Sequence, residues 1–277
     1  MNTNSLILTL LNLDKWGPNK VYAYVCKHNF NYEECLASLK YELDETQKNA
    51  FKEQLVKTND ILKQNNDLNI KTINILDKNF PEKLYQGSDK CVFLFYKGNV
   101  DLLNQKCISI IGTRKPDPYF IEKGIKITKE LAKKDYVIVS GLALGCDTIA
   151  HQSCLEVLGK TIAVLPSSCD NIQPTSNKKL ANDILDNNGL LISEYSVGST
   201  MSKFNFPRRD RIQSLLCSAI LIIQASDTSG TMIATKKNIK DGKIVYAIKG
   251  NEISIVDHYL DVDSKEEIEL FENWLVF

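Results

Sequence analysis

Short apolar runs alternate with helical segments across residues 107–248, and this alternation constrains the fold more than any other feature. The runs cover residues 107–111, 136–140, 160–165, 189–193, 218–224 and 243–248. Helical segments lie near residues 119–134, 147–158, 177–187, 208–216 and 230–240. Continuous apolar runs are typical of parallel strands buried on both faces. The alternation therefore predicts an α/β fold with a doubly wound, mostly parallel sheet.

The chain before this region divides into a helical start and a connector. Residues 1–70 show apolar spacing of three and four, which predicts a small helical domain. A turn around Gly17-Pro18 resembles a helix-hairpin-helix turn, but Trp16 stands where a small apolar residue is usual, so a plain helix corner is the other interpretation. The connector carries a short apolar strand at residues 92–96. We predict domains at residues 1–70 and 71–250, followed by an acidic tail at 251–277.

Composition favours an anionic partner and a cytoplasmic protein. The formal net charge is zero, but residues 101–250 are basic and the tail is acidic. A basic middle is typical of nucleic-acid or nucleotide binding. The eight cysteines form no CxxC pair, which favours reduced thiols in the cytoplasm. No stretch reaches the roughly 18 apolar residues of a membrane span. The apolar end of the tail, residues 270–277, predicts docking on the body or on another subunit.

Small, hydroxylated and glycine residues follow nearly every predicted strand. In a parallel sheet these strand ends are neighbours, so the loops are expected to share one pocket rim. Glycines allow close backbone approach, and helix starts attract anions, which together suit phosphate. The alternative is that such residues simply make good turns between strands and helices. The predicted contacts from these loops are Gly112, Thr113, Arg114, Ser140, Gly141, Gly145, Asp147, Ser229, Gly230 and Thr231.

The four arginines fall in only two segments, whereas thirty lysines are spread along the chain. Arg114 directly follows the first predicted strand, and the others lie at positions 208, 209 and 211. Arginine offers a planar, bidentate fork that lysine cannot copy. Arg208, Arg209 and Arg211 also follow Phe204 and Phe206, a mixture that suits single-stranded nucleic acid. The alternative is that the aromatic rings plug the sheet edge and the arginines pair with Asp210 and Glu194.

Enzyme chemistry has weaker support. Asp147 and His151 lie four residues apart on one predicted helix face. They could form an acid/base pair, or Asp147 could cap the helix while His151 is simply hydrogen-bonded. The two other histidines, His28 and His258, lie in different regions, so a zinc site or catalytic triad has little support. A hydrolase would require Glu194 to converge with this pair. No GxGxxG or GxxxxGK[ST] pattern occurs, so no cofactor of those kinds is predicted.

Several motifs together resemble the DNA-processing protein A family, also called DprA or Smf. They are residues 80–84, 94–99, 110–114, 139–151, 159–165, 191–195, 205–212 and 229–233, in the order and spacing of that family. The resemblance covers about residues 72–250 and implies an extended Rossmann-like domain. It also implies binding of single-stranded DNA, a homodimer, a role in natural transformation and loading of the RecA recombinase. It implies no catalytic activity, and Arg114 matches the family's DNA-pocket arginine.

The chain departs from the family pattern at two places. Where the family has Tyr-Pro-Lys before an asparagine, this chain has Gln173-Pro174-Thr175-Ser176-Asn177, so Lys178 or Lys179 would replace the lysine. After Gly250 the acidic tail replaces the usual segment, and no winged helix is predicted. The sequence thus favours a non-enzymatic single-stranded DNA-binding protein. The alternative is a nucleotide sensor or nucleotide-processing enzyme, and a third possibility is a scaffold that binds protein through its tail.

Overall fold

Four helices open the chain, as the apolar spacing predicts. The computed structural model describes residues 1–240 and 242–275. The helices are α1 (Thr3–Leu11), α2 (Pro18–Lys27), α3 (Tyr32–Glu42) and α4 (Glu45–Asp67). Side-chain caps explain where three of them begin, because Asn2, Asn31 and Asp44 each accept from backbone N–H groups of the first turn. Pro18 starts α2 at a position where its missing N–H costs nothing.

A nine-stranded mixed sheet forms the centre of the molecule. Its strands are β1 (Lys71–Asn74), β2 (Phe93–Gly98), β3 (Cys107–Ile111), β4 (Val137–Ser140), β5 (Thr161–Val164), β6 (Leu190–Ser193), β7 (Ala219–Ile222), β8 (Ile244–Ile248) and β9 (His258–Leu260). They lie in the order β1-β2-β6-β5-β4-β3-β7-β8-β9. Within this order, every adjacent pair in the series β6-β5-β4-β3-β7-β8-β9 is parallel, and β2 pairs antiparallel with both β1 and β6. The predicted mostly parallel sheet is confirmed.

Of the remaining helices in the described residues, five lie near the predicted helical segments, whereas the first and the last were not predicted. They are α5 (Lys83–Gln86), α6 (Pro118–Lys133), α7 (Cys146–Leu155), α8 (Lys178–Asp186), α9 (Asn205–Leu216), α10 (Gly230–Lys240) and α11 (Lys265–Trp274). Two short 3-10 helices cover Val100–Asn104 and Thr175–Asn177. Helix α9 begins three residues before its predicted start, because Pro207 lies in its first turn, where proline is tolerated. No helix of the described residues is both long and apolar enough to cross a bilayer.

The strand order changes direction between β3 and β7. From β3 the chain continues through β4, β5 and β6 on one side, and then returns to place β7, β8 and β9 on the other side. Open α/β sheets bind ligands in the crevice at such a switch point, outside the carboxyl ends of the strands. The loops after β3 and β7 therefore flank the crevice where a ligand is expected.

Both ends of the chain pack into the body around the sheet. Leu6, Ile7 and Leu10 of α1 share one buried cluster with sheet residues such as Leu94 and Ile192. On the tail side, the buried residues Leu260, Val262, Ile268, Phe271 and Leu275 pack with residues of β3 and β4. The described part of the tail thus docks on the body of the same chain. Val276 and Phe277, the end of the predicted docking segment, lie outside the described residues, and the domain limits at 70 and 250 stay a prediction.

Candidate nucleic-acid interface

A cleft of about 630 Å³ opens at the switch point, between α9, the start of α10 and the ends of β3 and β7. Most of the residues that the sequence singles out meet there. The lining includes Gly112, Thr113, Arg114, Asp147, Phe206, Arg208, Arg209, Arg211, Ser229, Gly230 and Thr231. Ser140, Gly141, Gly145, Asn177 and Lys178 are not among its lining residues. The volume lies within the range of about 300–1,000 Å³ that small-ligand sites occupy.

Two neighbouring loops hold the loop after β3, and one of them requires a glycine. The backbone N–H of Thr113 donates to the carbonyl of Gln224 at 2.7 Å, and that of Cys146 donates to the carbonyl of Thr113 at 3.0 Å. Gly145 has a φ of +75°, and a Cβ there would lie 2.5 Å from the carbonyl carbon of Arg114. The loop can therefore rest on the turn before α7 only because Gly145 has no side chain. This support leaves the Arg114 side chain exposed at the mouth of the cleft.

Cationic and aromatic groups line the mouth. The Arg114 guanidinium carbon lies 5.8 Å from the centre of the Phe206 ring, within the range of a cation–π contact. Arg208 is exposed on the first turn of α9. Lys203 also lines the cleft, with its Nζ 5.5 Å from the Phe204 ring centre, and Phe204 is 71% exposed. Cationic side chains thus stand beside aromatic rings, the combination that suits unpaired nucleotides.

The start of α10 forms the opposite side of the mouth. Gly230 is exposed, and a Cβ there would meet no atom within 4 Å, so a ligand can approach the backbone closely at this turn. The backbone N–H of Met232 already donates to the carbonyl of Ser229 at 3.0 Å. The Thr231 hydroxyl donates to the carbonyl of Gly112 at 3.3 Å, which ties this turn to the loop after β3. The Ser229 Oγ is buried and has no hydrogen-bond partner in the described part of the chain. Helix starts of this kind attract phosphate.

Arg209 is buried and joins three elements beneath the mouth. Its Nη1 donates to Asp147 Oδ2 at 3.4 Å and to Gln213 Oε1 at 3.1 Å. A Cβ on Gly141 would lie only 1.3 Å from that Nη1, so the glycine makes room for the guanidinium. Asp147 Oδ2 also accepts from the backbone N–H groups of Gly141 and Ala143 at 3.2 Å each. These contacts fix the loop after β4.

Arg211 is buried on the other side of α9 and serves as a tether. Its Nη2 donates to both carboxylate oxygens of Glu194 at 2.6 Å. Its Nη1 donates to the carbonyls of Asp89 and Lys90 at 3.2 and 3.0 Å. The pairing of Arg211 with Glu194 is the alternative that the sequence leaves open. DNA contact by each of the four arginines stays a prediction. The side chains of Arg114 and Arg208 are exposed, whereas those of Arg209 and Arg211 are buried.

Three further predicted contacts occupy other positions. Ser140 is buried, and its hydroxyl donates to the carbonyl of Ile110 at 2.7 Å, across neighbouring strands. Asn177 is buried and donates to the carbonyl of Leu142 at 2.9 Å, which braces the loop after β4. Lys178 is exposed at the first residue of α8, outside the cleft lining. Nothing in the structure tests whether these residues bind nucleic acid.

The three residues of the hydrolase alternative have separate partners. His151 is fully buried, and its Nδ1 lies 2.7 Å from Thr161 Oγ1. Burial, with a smaller effect of Arg209, lowers the pKa of His151 to about 3, so the ring is neutral at physiological pH. Asp147 pairs with Arg209, and Glu194 pairs with Arg211. Among the described residues, no group of three or more His, Cys, Asp or Glu side chains is arranged to hold a metal ion.

The cleft lining also includes residues that the sequence does not single out as contacts, among them Lys203, Ser109 and Gln213. Lys203 lies one residue before the aromatic segment that begins at Phe204, so its neighbours were a signal for it. Ser109 points into the cleft from β3, and Gln213 does so from α9. Both looked like ordinary members of buried elements, and no signal in the sequence distinguishes them.

Comparison with known proteins shows the family of this chain. The model of the family described as "DNA recombination-mediator protein A" matches residues 71–257. The chain belongs to this family. DNA processing protein DprA of Streptococcus pneumoniae is 38% identical over 190 residues, which cover 69% of this chain and 66% of that protein. DprA of Bacillus subtilis is 33% identical over 213 residues, which cover 76% of this chain and 70% of the relative.

Two solved DprA structures share the fold at 30% sequence identity. That of Streptococcus pneumoniae gives a TM-score of 0.66 and covers 92% of both chains. That of Helicobacter pylori gives a TM-score of 0.65 and covers 74% of this chain and 96% of the other. The second structure is described as giving insight into the unique single-stranded DNA binding mode of that protein. The alignment with the sequence relative from Streptococcus pneumoniae spans just under two thirds of that relative's length.

Proposed function

We propose that this protein binds single-stranded DNA in the cleft at the switch point. The observation that carries the proposal is that Arg114, Arg208 and Lys203 line one cleft together with Phe206 and with Gly230, the exposed first residue of α10. Phosphates would contact the cations and the helix start, while a base stacks on an aromatic face. The single-stranded DNA binding of the Helicobacter pylori relative supports the same assignment.

Fluorescence anisotropy with a labelled oligo-dT tests this function. Arg114→Ala should weaken binding at least about 10-fold, because a charge-assisted hydrogen bond contributes about 1.5–3 kcal/mol. Lys57→Ala removes the same charge from an exposed position on α4, outside the cleft lining, and serves as the matched control. The logarithm of affinity should fall with the logarithm of salt concentration by about 0.7 per phosphate contact. Equal affinities of wild type and Arg114→Ala would refute the site.

We further propose a cytoplasmic, non-enzymatic role in DNA uptake and recombination, as a homodimer that helps to load RecA on single-stranded DNA. Family membership supports this assignment, and the eight free cysteines fit a reducing compartment. Sedimentation analysis tests the dimer, and a RecA filament assay on DNA coated with single-strand-binding protein tests loading. A monomer at micromolar concentration or an unchanged rate of filament formation would contradict the respective assignment.

A further inference from the structure

The floor of the cleft carries buried polar atoms that have no partner in the described part of the chain. Gln213 is 3% exposed, and its Oε1 accepts from Arg209, while its Nε2 has no hydrogen-bond partner there. Ser109 is 1% exposed, and its Oγ is likewise unpaired. Buried side-chain polar atoms usually have a hydrogen-bond partner. These two atoms belong to residues that line one cleft, so a ligand that enters the cleft can supply the missing partners.

A carboxylate stands beside these atoms. Asp210 lines the cleft one helical turn before Gln213, so both side chains lie on the same face of α9. Its Oδ1 lies 3.2 Å from Arg209 Nε. Burial raises the pKa of Asp210 although Arg209 and Arg114 oppose the shift. A carboxylate repels phosphate and accepts N–H groups, so this part of the cleft fits a hydrogen-bond donor of the ligand.

Apolar surface completes the pocket. Ile111 and Ile220 line the cleft from adjacent strands of the sheet, beside Ser109. The exposed cations Arg114 and Arg208 remain at the mouth. The cleft thus combines a cationic mouth, apolar walls and a polar floor. This arrangement fits one nucleotide whose phosphate stays at the mouth and whose base enters edge first.

We propose that the floor of the cleft selects a single guanine base, with Asp210 accepting from its N1–H and N2 amino groups and Gln213 Nε2 donating to its O6. Single-stranded nucleic acids are read through such exposed base edges. Guanine alone among the four DNA bases presents two adjacent donors beside an acceptor on that edge. Adenine and cytosine offer one donor group, and thymine offers one donor between two acceptors. The proposal rests on the proposed function and names the base that the same site prefers.

The test compares labelled oligo-dT with the same oligonucleotide carrying one central dG, and with a third carrying hypoxanthine, which lacks the N2 amino group. Wild type should bind the dG oligonucleotide about 10-fold more tightly than oligo-dT, since a bidentate base contact discriminates by about 1–3 kcal/mol. Hypoxanthine should fall between them. Asp210→Asn should lose the preference, so that it binds the dG oligonucleotide and oligo-dT with equal affinity. Asp170→Asn, an exposed acid outside the cleft lining, should keep the preference.

The outcomes separate this inference from the function on which it rests. Equal affinity of wild type for all three oligonucleotides, or an unchanged preference in Asp210→Asn, overturns guanine selection and leaves DNA binding intact. If no oligonucleotide binds, the proposed function fails, and dGMP alone then decides the guanine site. Saturable binding of dGMP that is lost in Asp210→Asn would support the guanine site and identify a free nucleotide, not DNA, as its ligand. Absence of dGMP binding would overturn the guanine site as well.

Discussion

Replacing Arg211 with leucine should lower the free energy of unfolding far more than replacing Arg208 with leucine, although both arginines lie on α9. Its side chain is 5% exposed and forms a bidentate ion pair with Glu194, which is 16% exposed. Removing one partner of a buried pair costs about 3–5 kcal/mol, and the partial exposure of Glu194 favours about 3 kcal/mol. The carbonyls of Asp89 and Lys90 also lose their donor, which adds about 1 kcal/mol. We expect a total of about 4 kcal/mol.

Equilibrium urea unfolding followed by circular dichroism measures this loss. Arg208→Leu is the matched control, because Arg208 is exposed on the same helix, and its effect should stay within about 0.5 kcal/mol. The double variant Arg211→Leu with Glu194→Leu should be less destabilised than the sum of the two single variants, by about 2 kcal/mol, since it leaves no unpaired charge. A loss below about 1 kcal/mol in Arg211→Leu, or simple additivity with Glu194→Leu, would refute the tether.

Three further predictions concern His151, Asp210 and Gly145. The buried His151 has a pKa of about 3, so between pH 6.5 and 4 only the unfolded chain takes up a proton at this residue. The unfolding free energy of wild type should therefore fall by about 1.4 kcal/mol per pH unit in that range, and urea titrations should show this loss removed in His151→Asn. Burial raises the pKa of Asp210, so Asp210→Asn should be at least as stable as wild type at pH 7 in the same titrations, with the difference vanishing as the pH falls through that raised pKa. Gly145→Ala should displace Arg114, weaken oligo-dT binding in anisotropy and lower the free energy of unfolding by more than about 1 kcal/mol. Gly17→Ala is the control: a Cβ there meets nothing within 4 Å, so DNA binding and stability should both stay unchanged.

Apolar patterning predicted the sheet region well. The six strands from β3 to β8 appear within one or two residues of their predicted bounds, because continuous apolar runs such as that of β7 are buried on both faces. The edge strands β1 and β9 were not predicted. They have only four and three residues, and each includes at least one exposed residue, so no apolar run marks them.

The position of the candidate site was predictable from the sequence, but the contacts that each of its side chains makes were less so. Loop composition and arginine placement identified the mouth, and Arg114 lies there exposed. The sequence cannot show that Arg211 faces Glu194 or that Arg209 faces Asp147, because these pairs join residues 17 and 62 positions apart. The polar floor was also missed. Gln213 looks like any residue on a helix until the fold sets its amide beneath the cleft.

The two edge strands of the sheet limit how copies of the protein can associate. Strand β1 has four residues and β9 has three, so each outer edge offers few unpaired backbone groups. Short edges of this kind disfavour the addition of a strand from another chain. A dimer of this protein would therefore join through side chains on its helical faces, and the sheet would not run on continuously from one subunit to the next. Aggregation by edge-to-edge pairing is disfavoured for the same reason.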